Sequence, residues 1–190
     1  YGQPRTDACS AKRSFKLHIE QYHIPARGKS TPTESEKEKV REVISQIYQP
    51  WVTRVGIDPL IWFEDQFPKA LDEIDPTSIP GCCLLQQYGS INRDVLKITQ
   101  DEHGNRTYDQ QRVDIVRHLV RDRYVQLLSG TLYADPLKVF VKQEPHKVSK
   151  LQEGRFRLIM GVSLVDTLVD RILFGELLRN ASAPHNIMRT

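Results

Sequence analysis

The chain of 190 residues lacks the features that mark several common classes of protein. No apolar run approaches the ~20 residues that a membrane-spanning helix requires. Its three cysteines, Cys9, Cys82 and Cys83, are an odd number with one adjacent pair, which does not suit a disulfide framework. Neither they nor the six histidines show the spacing of a zinc site. We therefore predict reduced thiols in a cytosolic setting, no transmembrane segment and no metal-binding residues.

Positive charge is concentrated in one part of the chain, residues 138–160, here called the basic segment. The whole chain has a formal net charge of +3, whereas this segment alone has six basic residues against two acidic ones. The basic residues are Lys138, Lys142, Lys147, Lys150, Arg155 and Arg157. Because they alternate with apolar residues, we predict two short strands with one packed side and one cationic side that faces an anionic partner. A solvated basic loop is the alternative interpretation.

The two arginines of the basic segment are separated by one residue. On a strand, Arg155 and Arg157 would point to the same face together with Ile159, because side chains alternate between the two faces. The intervening Phe156, with Leu158 and Met160, would then pack behind them. A planar guanidinium can hold two phosphate oxygens at once, so this face suits a phosphate-bearing partner.

Three amphipathic helices are predicted outside the basic segment. A capping box at Thr33 to Glu36 starts the first, which ends near Tyr48 because a proline follows at position 50. Apolar residues at helical spacing predict the second over 113–127, and its four arginines are interpreted as solvated, with nucleic-acid contact as the alternative. Another capping box, at Ser163 to Asp166, starts a third helix over 163–179 that serves mainly for packing.

The remaining segments are less regular. Residues 1–33 are polar and are predicted to form an extended or loosely packed N-terminal arm, with 27–32 as a flexible link. Residues 75–83 are rich in turn-forming residues, and residues 95–99 with a turn at 102–106 predict a small hairpin. We predict an α+β fold in which helices pack on short antiparallel strands.

Several strings of residues resemble one family of enzymes. Phe140-Val-Lys-Gln-Glu-Pro-His-Lys147, Gly154-Arg-Phe-Arg-Leu-Ile159 and Val162-Ser-Leu-Val-Asp166 closely resemble motif F of viral RNA-dependent RNA polymerases of the sobemovirus and luteovirus-like group. Ser78-Ile-Pro-Gly81, with Tyr88 to Leu96 after it, is similar to motif G of that group, although Ile79 and Ser90 depart from its usual pattern. The resemblance covers roughly residues 77–177.

This resemblance implies roles for individual residues. Residues 34–190 would be the fingers region of a right-hand polymerase, with motif G near 77–83 and motif F at 138–160. Arg157 would be the main contact of the incoming nucleoside triphosphate and Arg155 the second candidate. Lys142 and Lys150 would line the entry channel, with Lys147 as a lesser candidate, and Glu144 would position one of the lysines. Template RNA would pass Ser78, Pro80 and Gly81, where a small turn lets an RNA backbone approach closely.

The catalytic carboxylates of such a polymerase are missing from the sequence. Nucleotidyl transfer uses two divalent metal ions that carboxylates hold, but the chain contains no Asp-Asp pair. Asp109 and Asp114 have the spacing of motif A, yet they precede motif F and begin a predicted helix, so we reject them. We therefore predict no catalytic residue here, and Mg²⁺ or Mn²⁺ bound by ligands outside this chain.

The resemblance thus predicts the fingers portion of a positive-strand RNA virus polymerase. Its expected partners are template and primer RNA, nucleoside triphosphates, and the palm and thumb of the polymerase, in cis or in trans. It would act in a replication complex in the host cytoplasm and would be inactive alone. The alternative is a non-catalytic viral RNA-binding accessory protein.

Overall fold

A computed structural model describes residues 1–22, 31–48 and 56–181 of the chain. The predicted α+β fold is confirmed, since seven α-helices and two small antiparallel sheets form in these residues. The helices are α1 (Ala8–Tyr22), α2 (Glu34–Tyr48), α3 (Pro59–Asp72), α4 (Asn92–Leu96), α5 (Gln110–Leu128), α6 (Val148–Glu153) and α7 (Leu164–Ala181). The strands are β1 (Thr99–Gln100), β2 (Arg106–Thr107), β3 (Lys138–Val141) and β4 (Leu158–Gly161), with a 3₁₀ helix at Leu84–Tyr88.

The chain divides into two compact units. The first unit combines Tyr1–Thr31 with Pro136–Val162, and the second combines Pro32–Asp135 with Ser163–Thr190. The basic segment therefore belongs with the N-terminal residues. The predicted division of the chain at residue 33 stays a prediction.

The second unit is built on α3, α5 and α7. Each contributes fully buried apolar side chains to one core, which include Phe63, Phe67, Val116, Val120, Leu168 and Ile172. The helix predicted over 113–127 is confirmed as α5, which the Asp109 side chain caps, so this residue begins a helix as expected. The helix predicted over 163–179 is confirmed as α7, where the Ser163 hydroxyl accepts a hydrogen bond from Asp166 N at 3.0 Å.

One of the four α5 arginines corrects the sequence-based interpretation. Arg123 was expected to be solvated, but only 8% of its surface is exposed. Its guanidinium donates to the carboxylate of Asp166 on α7 and to Asp135 Oδ1 at 3.2 Å, and it lies 4.5 Å from the Tyr133 ring centre. The acidic residue of the second capping box thus pairs with a buried arginine.

The predicted capping box at Thr33 and the predicted hairpin over 95–106 have different outcomes. The capping box at Thr33 is confirmed, because Thr33 N donates to Glu36 Oε2 at 2.8 Å at the start of α2, although none of the α2 residues is buried. The predicted helix stop at the proline of position 50 lies outside the described residues. The small hairpin exists as β1 and β2, but it starts only at Thr99. Val95 and Leu96 lie in α4 instead, where both are fully buried in the core.

The first unit corrects the prediction for the N-terminus. Ala8–Tyr22 form α1 rather than an extended arm, and Ala11 packs with Val141 and Phe156 in a separate apolar cluster. An amphipathic helix can bury its apolar side only where a partner exists, and here that partner lies more than 120 residues further along the chain. Positions 23–30, which include most of the predicted link, are outside the described residues.

Candidate functional site

The basic segment folds as a hairpin with a long connection. β3 and β4 are antiparallel, with Val141 opposite Leu158, so the two predicted strands are confirmed. The connection contains α6, which ends where Gly154 adopts a left-handed conformation with φ of +73°. All five residues expected to bind the triphosphate lie in this connection rather than on the strands.

The strand prediction is wrong for the two arginines. β4 starts at Leu158, so strand alternation does not determine where Arg155 and Arg157 point. Phe156 is buried and Leu158 partly buried, as predicted, whereas Met160 is exposed rather than packed. Packing is limited to the end of the hairpin next to the connection, because the apolar cluster contains the Val141–Leu158 pair but not Met160.

A cavity of about 640 Å³ brings four of the five predicted residues together. We call it the basic cavity. Its lining includes Lys147, Lys150, Arg155 and Arg157 from the connection, with Glu144 as the carboxylate beside them and His18 from α1. Four cationic side chains against one carboxylate give this cavity a net positive charge, which attracts an anion.

Glu144 holds two cations at the edge of the cavity. Its Oε1 lies 2.6 Å from the Arg157 guanidinium, and its Oε2 lies 2.7 Å from Lys142 Nζ. Hydrogen bonds from Lys142 and then Arg157 lower the pKa of the Glu144 carboxyl below its ordinary value. The Arg157 side chain is still 74% exposed, so its remaining N–H groups can reach a ligand.

Arg155 is more enclosed than Arg157. Its side chain is 24% exposed and lies 3.0 Å from Glu153, which is also 3.8 Å from Lys150. The Arg155 Nε is buried and has no hydrogen-bond partner among the residues that the structure describes. The two arginines therefore differ in exposure at the same cavity: the Arg157 side chain is largely exposed and the Arg155 side chain is mostly enclosed by the protein.

Three residues that the sequence analysis did not assign to this site contribute to it. Ser14 and His18 of α1 bind the backbone of Phe156, and the buried His146 binds the backbone of Arg157. His146 lies in the motif F string, so its position was visible in the sequence. No sequence signal indicated Ser14 or His18, because they contact a residue about 140 positions away.

The residues predicted to bind template lie in the second unit. Ser78 is exposed, and its hydroxyl donates to Asp75 at 2.8 Å. Pro80 and Gly81 are buried, the Pro80 carbonyl accepts from Leu164 N at 2.9 Å, and the Gly81 carbonyl accepts from the Gln86 amide. Of the three, Ser78 has the surface that a ligand can reach, and the template-binding role of all three stays a prediction.

Neither a metal site nor a membrane-spanning helix is found in the part of the chain that the structure describes. Within the described residues, no three His, Cys, Asp or Glu side chains are grouped so that they could hold a metal ion. In the same part of the chain, no helix combines the length and the apolar character needed to span a bilayer.

Sequence comparisons relate most of the chain to viral proteins. A family described as viral RNA-directed RNA polymerase matches residues 34–184. The chain is 29% identical, over 92% of its length, to Protein P1-P2 of Turnip yellows virus (isolate FL-1), and covers 18% of that protein. It is 38% identical, over 60% of its length, to Replicase polyprotein P2AB of Southern bean mosaic virus, and covers 12% of it.

A shorter region is more similar still. Over 41 residues, 22% of the chain, it is 66% identical to Replicase polyprotein P2AB of Cocksfoot mottle virus, of which it covers 4%. The chain thus spans less than a fifth of the length of each of these relatives. No solved structure matches it significantly.

Proposed function

The chain belongs to the viral RNA-directed RNA polymerase family, and from that premise we propose that it forms the fingers portion of a positive-strand RNA virus polymerase. In this proposal the basic cavity binds the triphosphate of the incoming nucleotide, and the catalytic palm lies outside these residues. The relatives belong to the sobemovirus and luteovirus-like group that the motifs indicated.

The observation that carries this proposal is the composition of the basic cavity. Four cations line it with the carboxylate of Glu144, and they still outnumber the carboxylates when Glu153, which pairs with Arg155 and Lys150, is counted. A nucleoside triphosphate carries several negative charges, and hydrogen bonds between guanidinium or ammonium groups and phosphate oxygens are strong because they are charge-assisted. The same cations would stabilise the charge that develops on pyrophosphate as it leaves.

Arg157 and Arg155 would have different tasks. Exposed Arg157 would exchange its bond with Glu144 for phosphate oxygens, which a planar guanidinium can bind in pairs. Arg155, which is more enclosed and paired with Glu153, would keep its position and add its positive charge beside the same ligand. Lys142, Lys147 and Lys150 would attract the triphosphate along the channel.

The remaining parts of the reaction come from elsewhere in the polymerase. Carboxylates of the palm would hold Mg²⁺ or Mn²⁺, which would activate the primer hydroxyl. Template RNA would contact the exposed Ser78 beside Pro80 and Gly81. The complete enzyme would work in a replication complex in the host cytoplasm, with the palm joined in cis or in trans.

Labelling of lysines tests nucleotide binding in the complete polymerase. Pyridoxal 5′-phosphate forms an imine with an accessible amine, and borohydride converts this to a stable adduct that peptide mass spectrometry locates. We expect nucleoside triphosphate to lower labelling of Lys147 and Lys150 about tenfold when its concentration is about ten times its Kd. Lys39, exposed on α2, is the control and should label equally with and without nucleotide.

Two results would count against this proposal. Labelling of Lys147 and Lys150 that nucleotide does not change would contradict a triphosphate site in the basic cavity. Protection by RNA but not by nucleotide would instead favour the non-catalytic RNA-binding alternative.

The chain alone is expected to be inactive. Without the carboxylates of the palm it has no means to hold the two metal ions of nucleotidyl transfer. Incubating residues 1–190 with template, primer, nucleoside triphosphates and Mg²⁺ or Mn²⁺ should yield no extended product. Efficient RNA synthesis under these conditions would show that the catalytic groups are present after all.

A further inference from the structure

Helix α1 makes an unusual contact with the basic segment. Ser14 is fully buried, and its hydroxyl binds one residue twice, since it accepts from Phe156 N at 2.8 Å and donates to Phe156 O at 3.0 Å. One turn later, His18 Nε2 lies 2.9 Å from the same carbonyl oxygen. A carbonyl can only accept, so this nitrogen carries the proton. Both backbone groups of Phe156 are thus bound by side chains of α1.

The Ser14 side chain provides the hydrogen-bond partners that a neighbouring strand would otherwise offer to the Phe156 backbone. The backbone groups of a buried segment need hydrogen-bond partners, and Phe156 lies just before β4 begins. Ser14 supplies both a donor and an acceptor from a single hydroxyl. The segment before β4 therefore keeps a defined conformation without being part of a sheet.

His146 holds the next residue from another direction. Its Nε2 accepts from Arg157 N at 2.8 Å, and its Nδ1 lies 2.6 Å from the Glu144 carbonyl. The proton therefore sits on Nδ1, because Nε2 must accept and the Glu144 carbonyl cannot donate. The Arg157 carbonyl accepts from Lys142 N at 2.9 Å, so both backbone groups of Arg157 are bound as well.

The hydrogen bonds from α1 to Phe156 lie between the two arginines of the basic cavity. Phe156 is the residue between Arg155 and Arg157, and its ring is buried against Ala11 of α1. With the Phe156 backbone bound at its N–H and its carbonyl, the Cα atoms on either side have little freedom. The direction in which each arginine enters the basic cavity then depends on α1.

We propose that α1 is a positioning element of the nucleotide site and that Ser14 is its main positioning residue, acting through Arg155 and Arg157. This inference rests on the proposed function of the basic cavity. It assigns a role to Ala8–Tyr22, which precede residues 34–184 where the family matches. Ser14 is fully buried and is not among the residues that line the cavity, so it acts without touching the nucleotide.

The test is Ser14→Ala in the complete polymerase. We expect kcat/KM for nucleoside triphosphate to fall about tenfold to a hundredfold, because a small misplacement of a binding group has effects of this size. Template affinity should stay unchanged. Ser10→Ala is the matched control, since its hydroxyl donates to Asp7 at the start of the same helix and not to the Phe156 backbone.

A second control separates positioning from simple loosening of α1. Ala11→Gly weakens the helix and its packing against Phe156 but leaves the Ser14 hydroxyl in place. If Ser14 is a positioning residue, Ser14→Ala should reduce kcat/KM clearly more than Ala11→Gly does at a comparable loss of melting temperature. Equal losses from the two variants would overturn the inference.

Combination with arginine variants gives the decisive result. If Ser14 acts through the arginines, Ser14→Ala should have almost no further effect once Arg155 and Arg157 are both alanine. The positioning role would be overturned if Ser14→Ala lowered kcat/KM by the same factor with and without the two arginines. It would also be overturned if Ser14→Ala alone did not lower kcat/KM. Neither result would contradict the proposed nucleotide site. If the arginine variants themselves are fully active, the proposed function fails, and the positioning role fails with it.

Discussion

Replacing Arg123 by alanine is expected to lower the free energy of unfolding by about 3–5 kcal/mol, the range typical for removing one partner of a buried ion pair. The loss is large because Asp166 and Asp135 would stay in the interior without their cation, and Asp135 Oδ2 already has no hydrogen-bond partner within the described residues. Urea denaturation of the chain followed by circular dichroism measures the change.

Arg121 provides a matched control on the same helix. It lies two residues earlier on α5 and is exposed, so Arg121→Ala should change the free energy of unfolding by less than about 0.5 kcal/mol. Adding Asp166→Asn to Arg123→Ala should restore part of the loss, because it removes one of the two uncompensated charges. A loss for Arg123→Ala no larger than that for Arg121→Ala would mean that the buried cluster contributes little.

Replacing Arg157 by alanine in the complete polymerase is expected to lower kcat/KM for nucleoside triphosphates about a hundredfold. The guanidinium would bind phosphate oxygens both in the bound substrate and in the transition state, so the loss should appear in KM, in kcat or in both. Steady-state primer extension with varied nucleotide concentration measures it. Arg157→Lys should recover only part of the activity, because an ammonium cannot bind two oxygens in the same plane.

Arg41 is the appropriate control for this variant. It is an exposed arginine whose guanidinium lies 2.6 Å from Glu38, the same distance that separates Arg157 from Glu144. Arg41→Ala removes the same charge and a similar ion pair without affecting the basic cavity, and it should leave kcat/KM unchanged. If Arg157→Ala leaves both kinetic constants unchanged while Arg157→Glu weakens RNA binding, the accessory RNA-binding role becomes the better explanation.

Predictions from local features of the sequence were reliable where the interacting residues lie close together in the chain. The capping box at Thr33 closes through Glu36 three residues away, and α7 begins where Ser163 indicated. The two strands of the basic segment form and pair, although Lys138 is the one basic residue of the segment that lies on a strand. In each case the relevant hydrogen bonds or the apolar side are determined by residues that are close in the chain.

Predictions that depended on a distant partner were less successful. Residues 1–33 are polar enough to resemble an arm, yet α1 finds an apolar partner in Val141 and Phe156. Arg123 lies two residues after the exposed Arg121 on α5, and only the approach of Asp166 and Asp135 gives it ionic partners in a buried position. Val95 and Leu96 suit a strand by composition but are buried in the core as part of α4.

The sequence by itself determined the family, the α+β class, three helices and the set of cations that the candidate site uses. Those features follow from residue type and short spacing, which the chain carries in any conformation. Only the tertiary structure decided that α1 binds the backbone between Arg155 and Arg157, that both arginines lie before β4, and that Glu144 bridges two cations. The physical reason is that a side chain's direction and burial depend on the groups packed around it, and here most of those groups lie far away in the sequence.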